Sequence, residues 1–507
     1  MQKYLQNTIL LFIFSCFYAC STSSDVPLPI TTANEEALEL YNTGWYHWGD
    51  HDAVKQSEYM KQALKIDPDF ILANLYVVEN DPNKRKSFRD KAIQNKNNGS
   101  EAEKLLVDMF IAGREGRTQD RIRLGKKLIE KYPTSSQAHV TLGDAHNVAL
   151  EFSLAAENYK KAVKINPNNV NALWRLASQH INVYTNQILL PENKQDKKLG
   201  IKYVDKMISL RPEAAVGYQI RGNVDRANSN FESAKEWYDK ALEKRRVTDR
   251  PASGLLGVIA HNLVFNGEFN LAQEYYDQGI AEGSTGNSKA SVAIFKIQSY
   301  LFNDDYPGAI RVADRVSKDL GGWGLSKVQI VNGRANVELR KFLAYAHNQQ
   351  KEEAYESLML RKSYAQQAMG LMEVDEVRQR DFDSMNTRME AWYHILFGEY
   401  NEAENKLAKL HSIVSNIQSP TALDDHSAML GMVHLFRGDP KGAVGYFNEN
   451  INTENYQYYS YFKALALQGS GQEESATEIF RQLANYNFNG LGISLVRSLA
   501  KQRLEKS

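Results

Sequence analysis

From Gln137 to Pro167 the chain reads QAHVTLGDAHNVALEFSLAAENYKKAVKINP, and its apolar positions recur at helical spacing in two blocks. Val140, Leu142, Ala145 and Val148 form the first stripe. Ala155, Ala156, Tyr159, Ala162 and Val163 form the second. The pattern predicts two helices joined by a short turn. Gly143 and Ala155 are small where the helices must approach to roughly 8–10 Å, and Tyr159 is expected to fill the space they leave. Pro167 ends the second helix, because it lacks an N–H and drives Asn166 out of the α region. Neither helix can bury its stripe alone. Stacked neighbours can, so stability should spread as nearest-neighbour terms.

The pattern recurs. Gly44, Ala63 and Pro68 keep its frame near the start. Tyr218, Gly222, Ala234, Tyr238 and Ala241 keep it further on, followed by Leu256, Ala260, Leu263, Gly267, Ala272 and Tyr276. Turns of one kind stand at Asp304–Ile310, Gly398–Glu404, Gly438–Phe447 and Gly471–Phe480. Ala234, Ala272 and Ala309 are spaced somewhat beyond the roughly 34 residues of the common helix-pair repeat. Ala309, Ala354 and Ala403 are spaced much further apart, which leaves the register open between 313 and 400. A longer, irregular helix pair is expected near 350–385, rather than a hinge. Residues 187–200 break the spacing and should project from an edge. Gly490–Ser507 is amphipathic and suits a capping helix, since solenoid ends need a polar outer face.

The spacing of His139, Leu142, Gly143, His146, Ala155, Tyr159, Ala162 and Pro167 resembles the tetratricopeptide repeat, W-x2-L-G-x2-Y…A-x3-F…P. The resemblance covers residues 35–507. It implies an all-α fold, a TPR-type α-solenoid in which antiparallel helix pairs wind into a right-handed superhelix. It also implies a concave groove lined by the first helix of each pair. The chain departs from the motif where His139 and His146 replace aromatics, and where most later units lack the final proline. Aligned on the family, Asp144, Asn147, Arg175, Gln179, Asn223, Arg226 and His261 fall on or near the concave side. Their mixed charge suits an extended or helical peptide held by side-chain hydrogen bonds. A solvated surface fits the same residues. The paired Lys and Asn with which some family members grip a peptide carboxylate are not evident.

Composition narrows the partners. The 507 residues carry 61 basic and 61 acidic side chains. That balance argues against nucleic acid, which calls for a basic stripe, and against purely electrostatic attachment to anionic lipid. At the N-terminus, Lys3 precedes an apolar run that ends near Ala19. The run is short of the roughly 20 residues that span a bilayer and fits a secretory signal. Phe17, Tyr18, Ala19 and Cys20 resemble the lipobox of bacterial lipoproteins, with Phe17 and Tyr18 departing from its usual residues. The resemblance implies a signal peptide over 1–19 and lipidation of Cys20. It further implies a lipid-anchored protein of the cell envelope, in the outer membrane of a diderm bacterium. The alternative is a cleaved signal and a soluble product. Residues 20–34, polar and proline-containing, are expected to form a flexible tether. The two cysteines are Cys16, inside the signal, and Cys20. A disulfide or Cys-based metal site is therefore not expected.

No reaction centre emerges from the motifs, and neither a cofactor nor a metal is expected. His139 and His146 share a helix face without the spacing or carboxylate partner of H-E-x-x-H, so packing is the expectation. Asp424, Asp425 and His426 read as a helix start. Gly283–Lys289 lacks the ending of a phosphate loop. Exposed aromatics could stack on sugars, the candidates being Trp45, Trp48, Trp323 and Tyr456–Phe462, although helical aromatics are mostly core. The leading expectation is a non-catalytic lipoprotein scaffold holding a protein or peptide partner. The alternative is a carbohydrate- or solute-binding lipoprotein similar to the SusD-like group, with its ligand site at 187–200 or the Trp323 loop.

Overall fold

The computed structural model describes residues 25–32, 34–181, 189–447 and 451–506. The signal and Cys20 lie outside them. The described residues form helices with no strand. The first six are α1 (Glu35–Gly49), α2 (Ala53–Ile66), α3 (Ile71–Tyr76), α4 (Pro82–Asn95), α5 (Glu101–Arg114) and α6 (Thr118–Lys131). Then come α7 (Ser136–Val148), α8 (Phe152–Ile165), α9 (Val170–His180), α10 (Lys197–Leu210), α11 (Ala215–Ala227) and α12 (Phe231–Val247). They continue as α13 (Ser253–Phe265), α14 (Phe269–Ala281), α15 (Gly286–Phe302), α16 (Tyr306–Asp319), α17 (Lys327–His347) and α18 (Lys351–Gly370). The last are α19 (Glu376–Leu396), α20 (Tyr400–Val414), α21 (Asp424–Phe436), α22 (Pro440–Phe447), α23 (Tyr456–Gly469), α24 (Glu473–Ala484) and α25 (Leu491–Lys506). Each odd-numbered helix up to α23 packs against the even one that follows, and each pair stacks on the next. The chain is an all-α solenoid of tetratricopeptide-repeat type.

One contact repeats inside the pairs. A Cβ placed on Gly143 would lie 2.4 Å from the Tyr159 ring, and one on Gly222 would lie 2.4 Å from the Tyr238 ring. Gly431 meets Phe447 and Gly44 meets Met60 in the same i, i+16 relation. A missing side chain on the first helix thus makes room for a large one from the second. The turns repeat too. Leu150, Gly267, Gly398, Gly438 and Gly471 adopt positive φ, a conformation that costs glycine least. The N–H of the next residue then bonds back to the first helix, as in Glu268 to the Leu263 carbonyl at 2.9 Å.

The wide intervals at Ala354 and Ala403 come from helix length. Helices α17, α18 and α19 run 21, 20 and 21 residues. The 187–200 segment is short where it is described, a 3-10 turn at Glu192–Lys194 leading into α10.

Residues 25–32 correct the expectation of a free tether. Asp25 accepts from the Ser136 N–H at 2.8 Å and from Asn166 at 2.8 Å. Ser100 Oγ donates to the Pro29 carbonyl at 2.8 Å, and Thr32 donates to Asp67 at 2.7 Å. Leu28 is buried in the first core cluster. The segment lies along the loops that join successive pairs, running from the α7–α8 pair back to α2. Its polar residues have no period because each one satisfies a different loop.

The array also curls onto itself. Arg211 donates to the Tyr46 carbonyl at 2.7 Å and pairs with Asp50 at 2.6 Å. Lys86 pairs with Glu373 at 3.1 Å, and Asn83 donates to the Leu371 carbonyl at 2.9 Å. Helix α25 packs on α23 and α24 and also reaches α15. Among the described residues no helix is long and apolar enough to cross a membrane.

Candidate functional site on the inner helices

The seven residues aligned to the concave side do not form one open surface. Asp144 on α7 and Arg175 on α9 are ion-paired: Arg175 Nη2 donates to Asp144 Oδ2 at 2.7 Å, and Nε donates to Oδ1. Tyr159 Oη donates to Asp144 Oδ1 at 2.8 Å. Burial pushes the Tyr159 phenol well above its usual range, and the Asp144 charge adds to it. Burial opposes the Arg175 charge, but Asp144 and Tyr159 outweigh it and raise the guanidinium's pKa. Asn223 on α11 plays the same part for its own pair, accepting from Tyr238 Oη at 2.9 Å. The sequence carried a sign of this arrangement. A tyrosine buried opposite a glycine must place its hydroxyl on a partner, and Asp144 and Asn223 directly follow Gly143 and Gly222.

The chain's own C-terminal segment occupies the inner face at α11, α13 and α15. Asn487 donates to the Arg226 carbonyl at 3.0 Å and to Ser229 Oγ at 2.9 Å. The Arg226 guanidinium lies 5.0 Å from the centre of the Phe488 ring. The Asn489 amide lies 2.6 Å from His261 Nε2, and Gln298 donates to Asn489 at 3.2 Å. Burial, aided by the Arg226 charge, pushes the His261 imidazole well below its usual pKa. It is therefore neutral and able to accept from Asn489. An open groove was expected at Arg226 and His261, and the structure overturns this. Residues more than 200 positions away in sequence fill it, bonding polar atoms that an empty groove would leave to water.

The other two stand apart. Gln179 on α9 is fully buried, and its side-chain amide makes no hydrogen bond to a described residue. Asn147 keeps its side-chain oxygen buried at the end of α7 without a described partner.

Most of the histidines and aromatics singled out in the sequence pack within the array, while Trp48 is exposed. His139 Nε2 is 3.1 Å from the Pro133 carbonyl. His146 Nδ1 is 2.5 Å from Glu151, across the α7–α8 turn. The same pin joins His394 to Glu399 at 2.5 Å and His434 to Asp439 at 3.0 Å. In Tyr456–Phe462, the side chains of Tyr458, Tyr459, Tyr461 and Phe462 are core. Trp323 is half-buried against the core. Nothing about Trp323 or the described part of 187–200 offers the sugar platform of the carbohydrate alternative. Among the described residues no cluster of His, Cys, Asp or Glu is arranged to hold a metal.

Part of the inner face stays open among the described residues. A cavity of about 380 Å³ lies between the start of α4 and the inner helices α15 and α17. Its floor is apolar, with Ile294, Phe295, Leu320 and Val337. Its rim is made of amides and guanidinium groups, from Asn80, Arg85, Asn332, Asn336 and Arg340. Sequence alignment could not single it out. Asn80 and Arg85 arrive from a pair far along the chain, and Asn332 and Asn336 sit on the long α17, where the register was open.

Comparison with known proteins gives distant likeness. No family model matches the chain. It is 22% identical over 139 residues to the mitochondrial import receptor subunit TOM70 of Mus musculus, and equally to that of Rattus norvegicus. The match takes in 27% of this chain and spans only 21% of the length of these relatives. Among solved structures, it is similar to a tetratricopeptide repeat protein from Parabacteroides merdae. The identity is 12%, the TM-score 0.33, and 60% of this chain and 99% of that one are covered. Yeast Tom70 gives 10% identity and a TM-score of 0.36, over 93% of this chain and 95% of that one. What assigns the chain to an all-α solenoid of tetratricopeptide-repeat type is its own helix pairs and their glycine–aromatic packing.

Proposed function

We propose that this protein is a membrane-anchored, non-catalytic scaffold that holds a protein partner on the inner face of its helix pairs. The observation that carries the reading is the cavity between α4, α15 and α17. It is the kind of concave site, apolar below with a few placed polar groups above, that binding proteins use. About 380 Å³ is within the range of such sites. The curated relatives are import receptor subunits by name, in keeping with a binding role. In-cell crosslinking is the test. With a photocrosslinking residue at Asn332 in the cavity, one specific protein adduct is expected. The same residue at Lys318, exposed on the second helix of the pair before it, should give none. Adducts at neither position, or equally at both, count against the inner face as a docking site.

The anchor is part of the proposal. The lipobox-like run at Phe17–Cys20 supports lipidation of Cys20 and a place in the cell envelope, on the outer membrane of a diderm bacterium. Only Ser21–Ser24 separate Cys20 from Asp25, and Asp25 is bonded to Ser136 and Asn166. Five residues span at most about 18 Å. A lipidated Cys20 would hold the α7–α8 edge close against the bilayer, with more than one acyl chain making the attachment durable. Cys20→Ser is expected to move the protein from the membrane pellet to the soluble fraction. Retention in the pellet would mean that something else anchors it.

A further inference from the structure

We infer that the outer side of α6, α8 and α10 is a membrane-facing surface that docks on the anionic headgroups of a phospholipid bilayer. The inference rests on the lipid anchor proposed above and adds which side of the array the bilayer meets.

The first observation is a local excess of one sign in a chain whose 61 basic and 61 acidic side chains balance overall. Helices α6, α8 and α10 are the second, outer members of three consecutive pairs. Each turns one stripe to solvent, three and four residues apart along the helix. The exposed charges on these stripes are mostly basic, with Lys126 and Lys127 on α6, Lys160 and Lys161 on α8, and Lys198 and Lys202 on α10. The exposed acids of the three helices are only Glu130, Glu157 and Asp205, and Asp205 already lies 3.5 Å from Arg221. The bias is not a habit of the repeat. On α12, α14, α18 and α24, which hold the same outer place in their own pairs, exposed acids outnumber exposed bases.

The second observation is where the chain leaves towards Cys20. Asp25 is bonded to Ser136 and Asn166, and the Val26 N–H to the Thr134 carbonyl at 3.1 Å. Thr134 stands just beyond Lys131, the last residue of α6, and Asn166 directly follows α8. The five residues back to Cys20 span at most about 18 Å, and the 14 residues of α8 about 21 Å. Acyl chains on Cys20 therefore enter the bilayer within about one helix length of the basic stripes. The tether alone would let the array hang by that edge. Attraction to anionic headgroups acts over roughly 10 Å and turns the outer side of these three helices down onto the surface. Lipid chains combined with a basic patch form a durable peripheral attachment. The patch by itself is screened by salt, so it orients the anchored chain and does not replace the anchor.

Cosedimentation with vesicles tests this, using the Cys20→Ser protein recovered from the soluble fraction so that no acyl chain contributes. At low salt it should bind vesicles of equal parts phosphatidylcholine and phosphatidylglycerol, should not bind phosphatidylcholine alone, and should be released as salt rises. The triple variant Lys127→Glu, Lys160→Glu, Lys202→Glu should bind at least about thirtyfold more weakly, since each basic side chain near an anionic surface contributes several-fold. Arg311→Glu, Arg315→Glu, Lys318→Glu makes the same change of net charge on the exposed side of α16 and should weaken binding no more than about threefold, the part owed to net charge alone. All six positions are exposed, so both variants should keep the native melting temperature. Equal losses in the two variants would overturn the inference, as would equal binding to both kinds of vesicle or binding to neither. Release by inorganic phosphate, where chloride at the same ionic strength releases nothing, would overturn the bilayer as the occupant. Charge-dependent vesicle binding beside a Cys20→Ser protein that stays in the cell pellet would sink the anchor and leave this face standing. Absence of vesicle binding beside a Cys20→Ser protein released in cells would sink this inference alone.

Discussion

Asp144→Ala is expected to destabilise the α7–α9 region by about 3 kcal/mol, the low end for breaking a buried ion pair. The two side chains are partly open to solvent, 32% for Asp144 and 16% for Arg175, which is why the low end applies. The loss has two parts. Arg175 keeps its charge in the interior with no counter-ion, and Tyr159 loses the acceptor for its hydroxyl. A long repeat array need not unfold in one step, so the effect is best read locally, as faster hydrogen exchange of the α7, α8 and α9 amides. The double variant Asp144→Leu, Arg175→Met should recover most of the loss, because two apolar residues of similar size remove the stranded charge. A single variant with unchanged protection would mean that Asp144 faces solvent or a partner, as its place on the concave side first suggested.

What could be read from the sequence was what neighbouring residues decide among themselves. Gly143 with Tyr159 and Gly222 with Tyr238 mark a pair, because a helix-to-helix contact needs only one turn and two faces. The aromatic run at Tyr456–Phe462 could be weighed as core on the same grounds. The long α17, α18 and α19 disturbed the spacing without hiding the helices. What escaped was decided at a distance. Each pair turns slightly on the last, and only the sum over many pairs brings Asn489 to His261 or Arg85 towards Arg340. No local pattern records that sum. Residues 25–32 escaped for a second reason. A strap held by Asp25, Thr31 and Thr32 needs no apolar period, and its composition is that of a free linker. Asp144 and Asn223 fell on the concave side in the alignment, yet their first obligation is to the tyrosine hydroxyl of their own pair.

Phe488→Ala should free the C-terminal segment from the inner face, at a cost of about 3 kcal/mol, the lower value for losing a buried aromatic side chain. Phe488 is 3% exposed. Its ring meets the Arg226 guanidinium at 5.0 Å and the Tyr486 ring at 5.8 Å. Without it, the hydrogen bonds of Asn487 and Asn489 lose the packing that excludes water from them, and bonds open to water contribute too little to hold the segment in place. The effect should stay local, because the contacts within and between the other pairs are untouched. Hydrogen exchange should quicken across α25 and the inner faces of α11, α13 and α15, while α5 to α8 keep their protection. Loss spread evenly over the chain would show that the closure is part of one cooperative unit. No loss at α25 would show that Ile493, Leu495 and Val496, all buried, hold it without the aromatic. The local outcome has a consequence for binding. The surface released at Arg226 and His261 lies next to the open cavity through α15, which contributes Gln298 to the segment and Ile294 to the cavity floor. A partner peptide held at α15 and α17 could then extend along the inner helices into the place that Asn487–Asn489 now fill. The variant should bind a long partner segment more tightly than the native chain does, and a short one no more tightly.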